Sequence, residues 1–290
     1  MMDYMPLALT ILITVLASVL EKLFMNRNRE GVSAFAYNMI SCAAWFAVVI
    51  PSMVIRGEYI FTWKAVAGGI LYGFLLFMLL YCSYRAMMEG SFSVTKFVAC
   101  PAFIVPTVYA VFALGEDITD MQMIGILCIL IALGLCANPR YSAQPLTLKW
   151  GLFAFGLFLA NGLIGIFYKV MGGHLDNNEY DILLAIAAMT AMLLFAGILI
   201  VQRIRSKKDI VFPKGKKLLL VFANGLCTCS FIRLNLYVSK LLPAAVIFPV
   251  SNCAIVILST LAGLLMFKEK LSKIQILGII IGIASILAYS

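Results

Sequence analysis

Apolar runs of roughly 20 residues return ten times along this chain, and each is long enough to cross about 30 Å of hydrocarbon as a helix. They span 4–25, 33–55, 65–84, 91–114, 119–137, 149–171, 180–202, 216–238, 243–267 and 273–289. Inside lipid no water satisfies a stray N–H or C=O, and a helix closes all of these bonds within one segment. A transmembrane β-barrel would instead alternate apolar and polar residues over runs of about 10, which this sequence does not do. Composition agrees: 63% hydrophobic and 12% charged residues, with a mean hydropathy of +1.04, leave too little charge to coat a soluble domain of 290 residues. The expected class is an all-α integral membrane protein with ten transmembrane helices. The opening MMDYMPLALT has no basic region and no small-residue cleavage site, so the first run is expected to be a retained helix.

The formal charge of +9 does not indicate nucleic-acid binding, because the basic residues cluster in short loops where they set orientation. Of the 22 Lys and Arg, 16 follow the first, third, fifth, seventh and ninth runs; Arg56, Lys64 and Lys240 occupy the other loops. That bias places both termini outside. Lys96, Lys169 and Arg233 remain within the apolar segments. The eight cysteines are scattered, Cys227 and Cys229 lack a second ligand pair, and the single His174 sits in a polar acidic stretch. No metal site or cofactor is expected.

A shift of 153 residues lays 81–137 over 234–290 without a gap. Tyr84 then meets Tyr237, Cys100 meets Cys253, Glu116 meets Glu269, Gln122 meets Gln275 and Gly125 meets Gly278. Each copy carries a polar corner led by Glu, where Thr119 or Ser272 is placed to N-cap the following helix. Two five-helix repeats follow, 1–138 and 149–290, joined by a linker at 139–148 with Pro139 and Pro145 at its edges. Five is an odd number, so the second repeat is expected to be inverted, an architecture that exposes one central site to alternate sides.

The hairpins LGEDITDMQMIGILCILIALGL and FKEKLSKIQILGIIIGIASIL resemble the helix–Gly-Glu–turn–helix ending of the drug/metabolite transporter superfamily, in particular its ten-helix EamA-type carriers. The stretches AMMEGSFSV and KLLPAAVIF resemble the turn that precedes that family's fourth and ninth helices, and Pro101 and Pro106 lie near where many relatives carry a proline. The resemblance implies transport of metabolites, amino acids, nucleotide sugars, phosphorylated sugars or cationic drugs. It also implies a basket of helices 1–4 and 6–9 braced by helices 5 and 10. It places the termini in the cytoplasm, opposite to the charge count.

Ionisable groups inside a bilayer are functional candidates, since they cost several kcal/mol unless paired or hydrated. Arg233 lies well inside the eighth run, suited to a carboxylate or phosphate, or else to a structural carbonyl; Cys229 and Tyr237, four residues to either side, share its face. Lys96 in the fourth run is the second candidate, with snorkelling as the competing role. Lys169, with Asn161 and Gly165 on its helix, reads first as an anchor. Glu21 ends a polar stripe of Thr10, Thr14 and Ser18, with Lys22 beside it as a surface partner. Trp45, Tyr81 and Tyr84 are suited to lining a pocket or to anchoring at an interface. The spacings Gly69/Gly73 and Gly278/Gly282 point to close helix packing. With the basic residues breaking the repeat symmetry (Lys96 opposite Pro249, Arg233 opposite Leu80), the basic pair marks the expected substrate site.

The expected function is a secondary transporter for a small polar metabolite, amino-acid-like and anionic or zwitterionic, in a multi-pass bacterial plasma membrane protein. An exporter of cationic or hydrophobic drugs, using Glu21 and the aromatics, is the alternative, and a non-transporting scaffold is a second. No acid, base and metal constellation of an enzyme is present in the sequence. Proton coupling and exchange both stay open, as do a monomer and a homodimer.

Overall fold

The computed structural model describes residues 4–27, 31–56, 61–89, 99–137, 147–176, 179–206, 210–267 and 273–288. Among them there is no strand. The helices in chain order are α1 (Tyr4–Arg27), α2 (Ala34–Ala43), α3 (Phe46–Arg56), α4 (Trp63–Glu89), α5 (Ile104–Leu114, preceded by a 3-10 turn at Cys100–Phe103), α6 (Asp120–Ala137), α7 (Leu148–His174), α8 (Glu179–Ser206), α9 (Lys216–Leu241), α10 (Ala244–Phe267) and α11 (Lys273–Ala288). An apolar helix falls on each of the ten runs, the second run being shared by α2 and α3. Among the described residues seven segments are long and apolar enough to cross a membrane, while Pro101–Leu114, Asp120–Leu135 and Lys273–Ile286 are shorter. The chain is a multi-pass membrane protein.

Two compact units divide these helices: residues 12–77 with 171–237, and residues 1–11, 78–170 and 238–290. In the first unit α8 is the central helix. Its small residues Ala187, Ala188 and Ala191 are fully buried, as side chains this short let backbones approach closely. The expected small-residue contact is present on α4: a Cβ at Gly69 would lie 2.7 Å from the Leu183 carbonyl oxygen, and one at Gly73 would lie 2.6 Å from that of Ala187. The register of these pairs makes α4 and α8 parallel. Phe35 stacks on Phe195 at one end and Ser52 meets Asp181 at the other, so α2–α3 and α8 run antiparallel. Ser41 meets Asn224 and Ser52 meets Arg233, which makes α2–α3 and α9 parallel.

The second run is not a single helix. Between α2 and α3 the backbone tightens to i→i−3 bonds, from Trp45 N to Cys42 O, Ala47 N to Ala44 O and Val48 N to Trp45 O. Pro51 inside α3 has no N–H to return to Ala47, so the ladder is weakened next to the break. Across it Gly225 of α9 comes so close that a Cβ would lie 2.2 Å from the Ser41 carbonyl oxygen and 2.7 Å from Ala44 Cβ. Asn224, beside it, donates to Ala17 O at 2.9 Å and so ties α1 to the same place.

In the second unit α5 packs on α7, with Val105 over Gly162 and Pro106 over Gly165. Gly282 of α11 lies under Cys253 and Ile257 of α10. The polar corner before α6 closes as expected: Gln122 N donates to Thr119 Oγ1 at 3.3 Å while Thr119 N donates to Gln122 Oε1 at 3.2 Å, a reciprocal capping box. Gly115 ends α5 in the left-handed region at φ 68°, which only glycine adopts without strain. Ser272, Glu269 and most of the 139–148 linker lie outside the described residues.

Candidate functional site

The charged centre of the first unit is built from three helices. α8 begins with Glu179 and Asp181, two carboxylates placed where the helix macrodipole is positive. Asp181 is 1% exposed and takes the Arg233 guanidinium, Nη1 at 2.5 Å from Oδ1 and Nη2 at 3.4 Å from Oδ2. Ser52 of α3 closes the triangle: its hydroxyl donates to Asp181 Oδ2 at 2.8 Å and accepts from Arg233 Nη1 at 2.8 Å. This is the fork geometry that suits guanidinium to carboxylate. Three of the five guanidinium protons are then used. The Arg233 side chain is 20% exposed, and its Nε–H and one Nη2 proton have no partner among the described residues. The cluster therefore leaves part of its guanidinium accessible while its acid is sealed.

Glu179 stabilises the same end of α8. Its Oε1 accepts from the Thr62 hydroxyl at 2.5 Å and its Oε2 from Asp176 N at 2.8 Å, and the Tyr180 hydroxyl donates to Gly172 O at 3.4 Å. Asp181 and Ser52 were not legible as site residues. The acidic stretch around His174 reads as solvated loop, and His174 is indeed exposed, but Asp181 seven residues on is buried. No local pattern distinguishes the two; the partner lies 52 residues away.

The other candidates divide between the units. With Arg233 in the first unit are Tyr237, 36% exposed; Glu21, exposed; and Trp45, only 1% exposed, whose indole N–H has no partner among the described residues. Cys229 is fully buried one turn from Arg233. In the second unit are Tyr81, edge-on to Phe153 at 6.2 Å, with the Arg85 guanidinium 5.2 Å from the centre of the same ring; half-buried Tyr84; and Asn161, whose amide donates to Ala99 O at 3.1 Å. Lys96 lies outside the described residues.

Lys169, read in the sequence as an anchor, has a structural partner in the second unit. Its Nζ is 2.5 Å from Glu116 Oε1 and 3.0 Å from Leu242 O, while Glu116 Oε2 accepts from Ala244 N at 2.7 Å. The acid satisfies an orphan N–H at the start of α10 and the base an orphan C=O just past the end of α9, each on the favourable side of the dipole. We expect Glu116→Ala to lower stability by roughly 3 kcal/mol, since it leaves Lys169 unpaired in a half-sealed site. Glu116→Gln, which keeps the acceptor for Ala244 N, should cost visibly less in a detergent melting curve.

Comparison with known proteins points to one family: residues 148–290 match the EamA-like transporter family. This EamA-like half contains both Arg233 and Asp181, and begins at the helix α7 that supplies Lys169. No curated protein sequence gives a significant match. A solved structure, described only as a crystal structure of a protein, is similar over 98% of this chain and 96% of its own, with a TM-score of 0.80 at 16% identity. At that identity the likeness concerns the fold alone.

Proposed function

We propose that the protein is a secondary transporter that carries a small polar metabolite, amino-acid-like and anionic or zwitterionic, by alternating access. One observation carries the reading. Arg233 presents two free N–H groups from a guanidinium already fixed by a sealed carboxylate and a hydroxyl, which is a preorganised receptor for a carboxylate. The match to a transporter family supports the class of activity. The division into inverted five-helix repeats, 1–138 and 149–290, is supported by the antiparallel course of α2–α3 and α8, which are the second helices of the two repeats.

The test compares solute classes in liposomes containing purified protein. Arg233→Gln should reduce uptake of carboxylate-bearing amino acids at least 100-fold, the scale of losing a charge-assisted bidentate contact. Glu21→Gln should leave it unchanged, because Glu21 is exposed and is not among the residues bonded to Arg233, Asp181 or Ser52. Loss of cationic-drug transport in Glu21→Gln, with amino-acid uptake absent from the wild type, would establish the drug-export alternative instead.

A further inference from the structure

We infer that Asp181 is a specificity-determining residue that makes the carrier prefer net-neutral zwitterions over monoanions, by supplying the site's own negative charge. The inference rests on the reading of Arg233 as the anchor for a substrate carboxylate.

The argument is one of charge balance in a site that must close. A carrier seals its site from water in every half-cycle, and a net charge sealed in that way is costly while a balanced one is not. Without substrate the cluster is already balanced, since Arg233 is matched by Asp181 at 2.5 Å and Ser52 is neutral. Asp181 is 1% exposed, so an incoming carboxylate cannot displace it from the far side of the guanidinium and must use the remaining N–H groups. The bound state then holds Arg233, Asp181 and the substrate together. A zwitterion adds no net charge to this set, whereas a monoanion leaves one uncompensated negative charge beside a fixed carboxylate.

The neighbourhood does not cancel that excess. Glu179 is a second buried carboxylate at the same end of α8, and its described partners are the Thr62 hydroxyl and the Asp176 N–H. Neither it nor Asp181 has a cation other than Arg233 within ion-pair distance among the described residues. The α8 N-terminus offsets about half a unit charge, which stabilises Glu179 and leaves nothing for an extra anion.

Glutamine and glutamate are the probes, nearly equal in shape and differing by one net charge. Radiolabelled uptake of each is measured in liposomes with wild type, Asp181→Asn, Asp181→Glu and Arg233→Gln. The wild type should favour glutamine. Asp181→Asn should move the glutamine-to-glutamate ratio toward glutamate by roughly 30-fold, the scale of removing a like-charge contact, and Asp181→Glu should restore the wild-type order. An unchanged ratio in an active Asp181→Asn overturns the inference while Arg233 remains the anchor. So does a wild type that favours glutamate, a result that stands even if Asp181→Asn fails to fold. Uptake of both probes by Arg233→Gln, or of neither by the wild type, overturns the reading of Arg233 itself.

Discussion

Gly225→Leu is expected to yield no folded protein. A Cβ at this position already falls 2.2 Å from the Ser41 carbonyl oxygen, and the atom in the way belongs to the backbone, which has no rotamer to change. Alanine alone forces α9 away from α2, and overpacking of this kind costs roughly 3 kcal/mol or more where the neighbour cannot yield. The same shift pulls Asn224 from Ala17 O and from Ser41, so three helices lose their common polar tie. Leucine adds three further carbons to the same gap. Size-exclusion chromatography in mild detergent reads the result directly: Gly225→Ala gives a lowered melting temperature, and Gly225→Leu gives aggregate without a monodisperse peak. Gly197→Ala is the control. A Cβ there meets nothing within 4 Å, so the substitution should be neutral or slightly stabilising through helix propensity.

Arg233→Gln is expected to destabilise more than Asp181→Asn, although the two break the same pair. The reason is the difference in burial. Removing Arg233 strands a carboxylate that is 1% exposed, whereas removing Asp181 strands a guanidinium that is 20% exposed and still bonded to Ser52. Breaking a buried pair from the sealed side costs roughly 3–5 kcal/mol. The double variant Asp181→Asn/Arg233→Gln removes both charges and should regain most of that loss. Its transport of carboxylate-bearing amino acids should stay as low as in the single Arg233→Gln. Melting curves and liposome uptake on the same preparations separate the two effects. If the double variant recovered transport together with stability, Arg233 would be a structural residue only.

Much of the chain was legible because membrane folding rewards local sums. Each apolar run declares its helix by length and hydropathy, since no other structure satisfies the backbone in lipid. The corner at Thr119 and Gln122 was legible for a similar reason: both partners of the capping box lie within four residues. Gly69 and Gly73 announced a close contact through spacing alone, although the helix that fills it, α8, is more than a hundred residues downstream. Arg233 was legible too, because one arginine amid apolar residues stands out.

What Arg233 is bound to was not. Nothing in the sequence around Asp181 separates it from the exposed Asp176 nearby, and Ser52 looks like any serine beside a proline. Trp45 reads as a candidate pocket aromatic, yet it is sealed in the packing at the α2–α3 break. Glu116 marks a helix end by its position, but its acceptance of a bond from Ala244, 128 residues on, is invisible in one dimension. By itself the sequence determined the helices and the number of apolar runs, because hydrophobicity and propensity add up residue by residue. Only the tertiary structure decided which carboxylate meets which cation, because ion pairing depends on the register between helices far apart in the chain, and that register is set by packing.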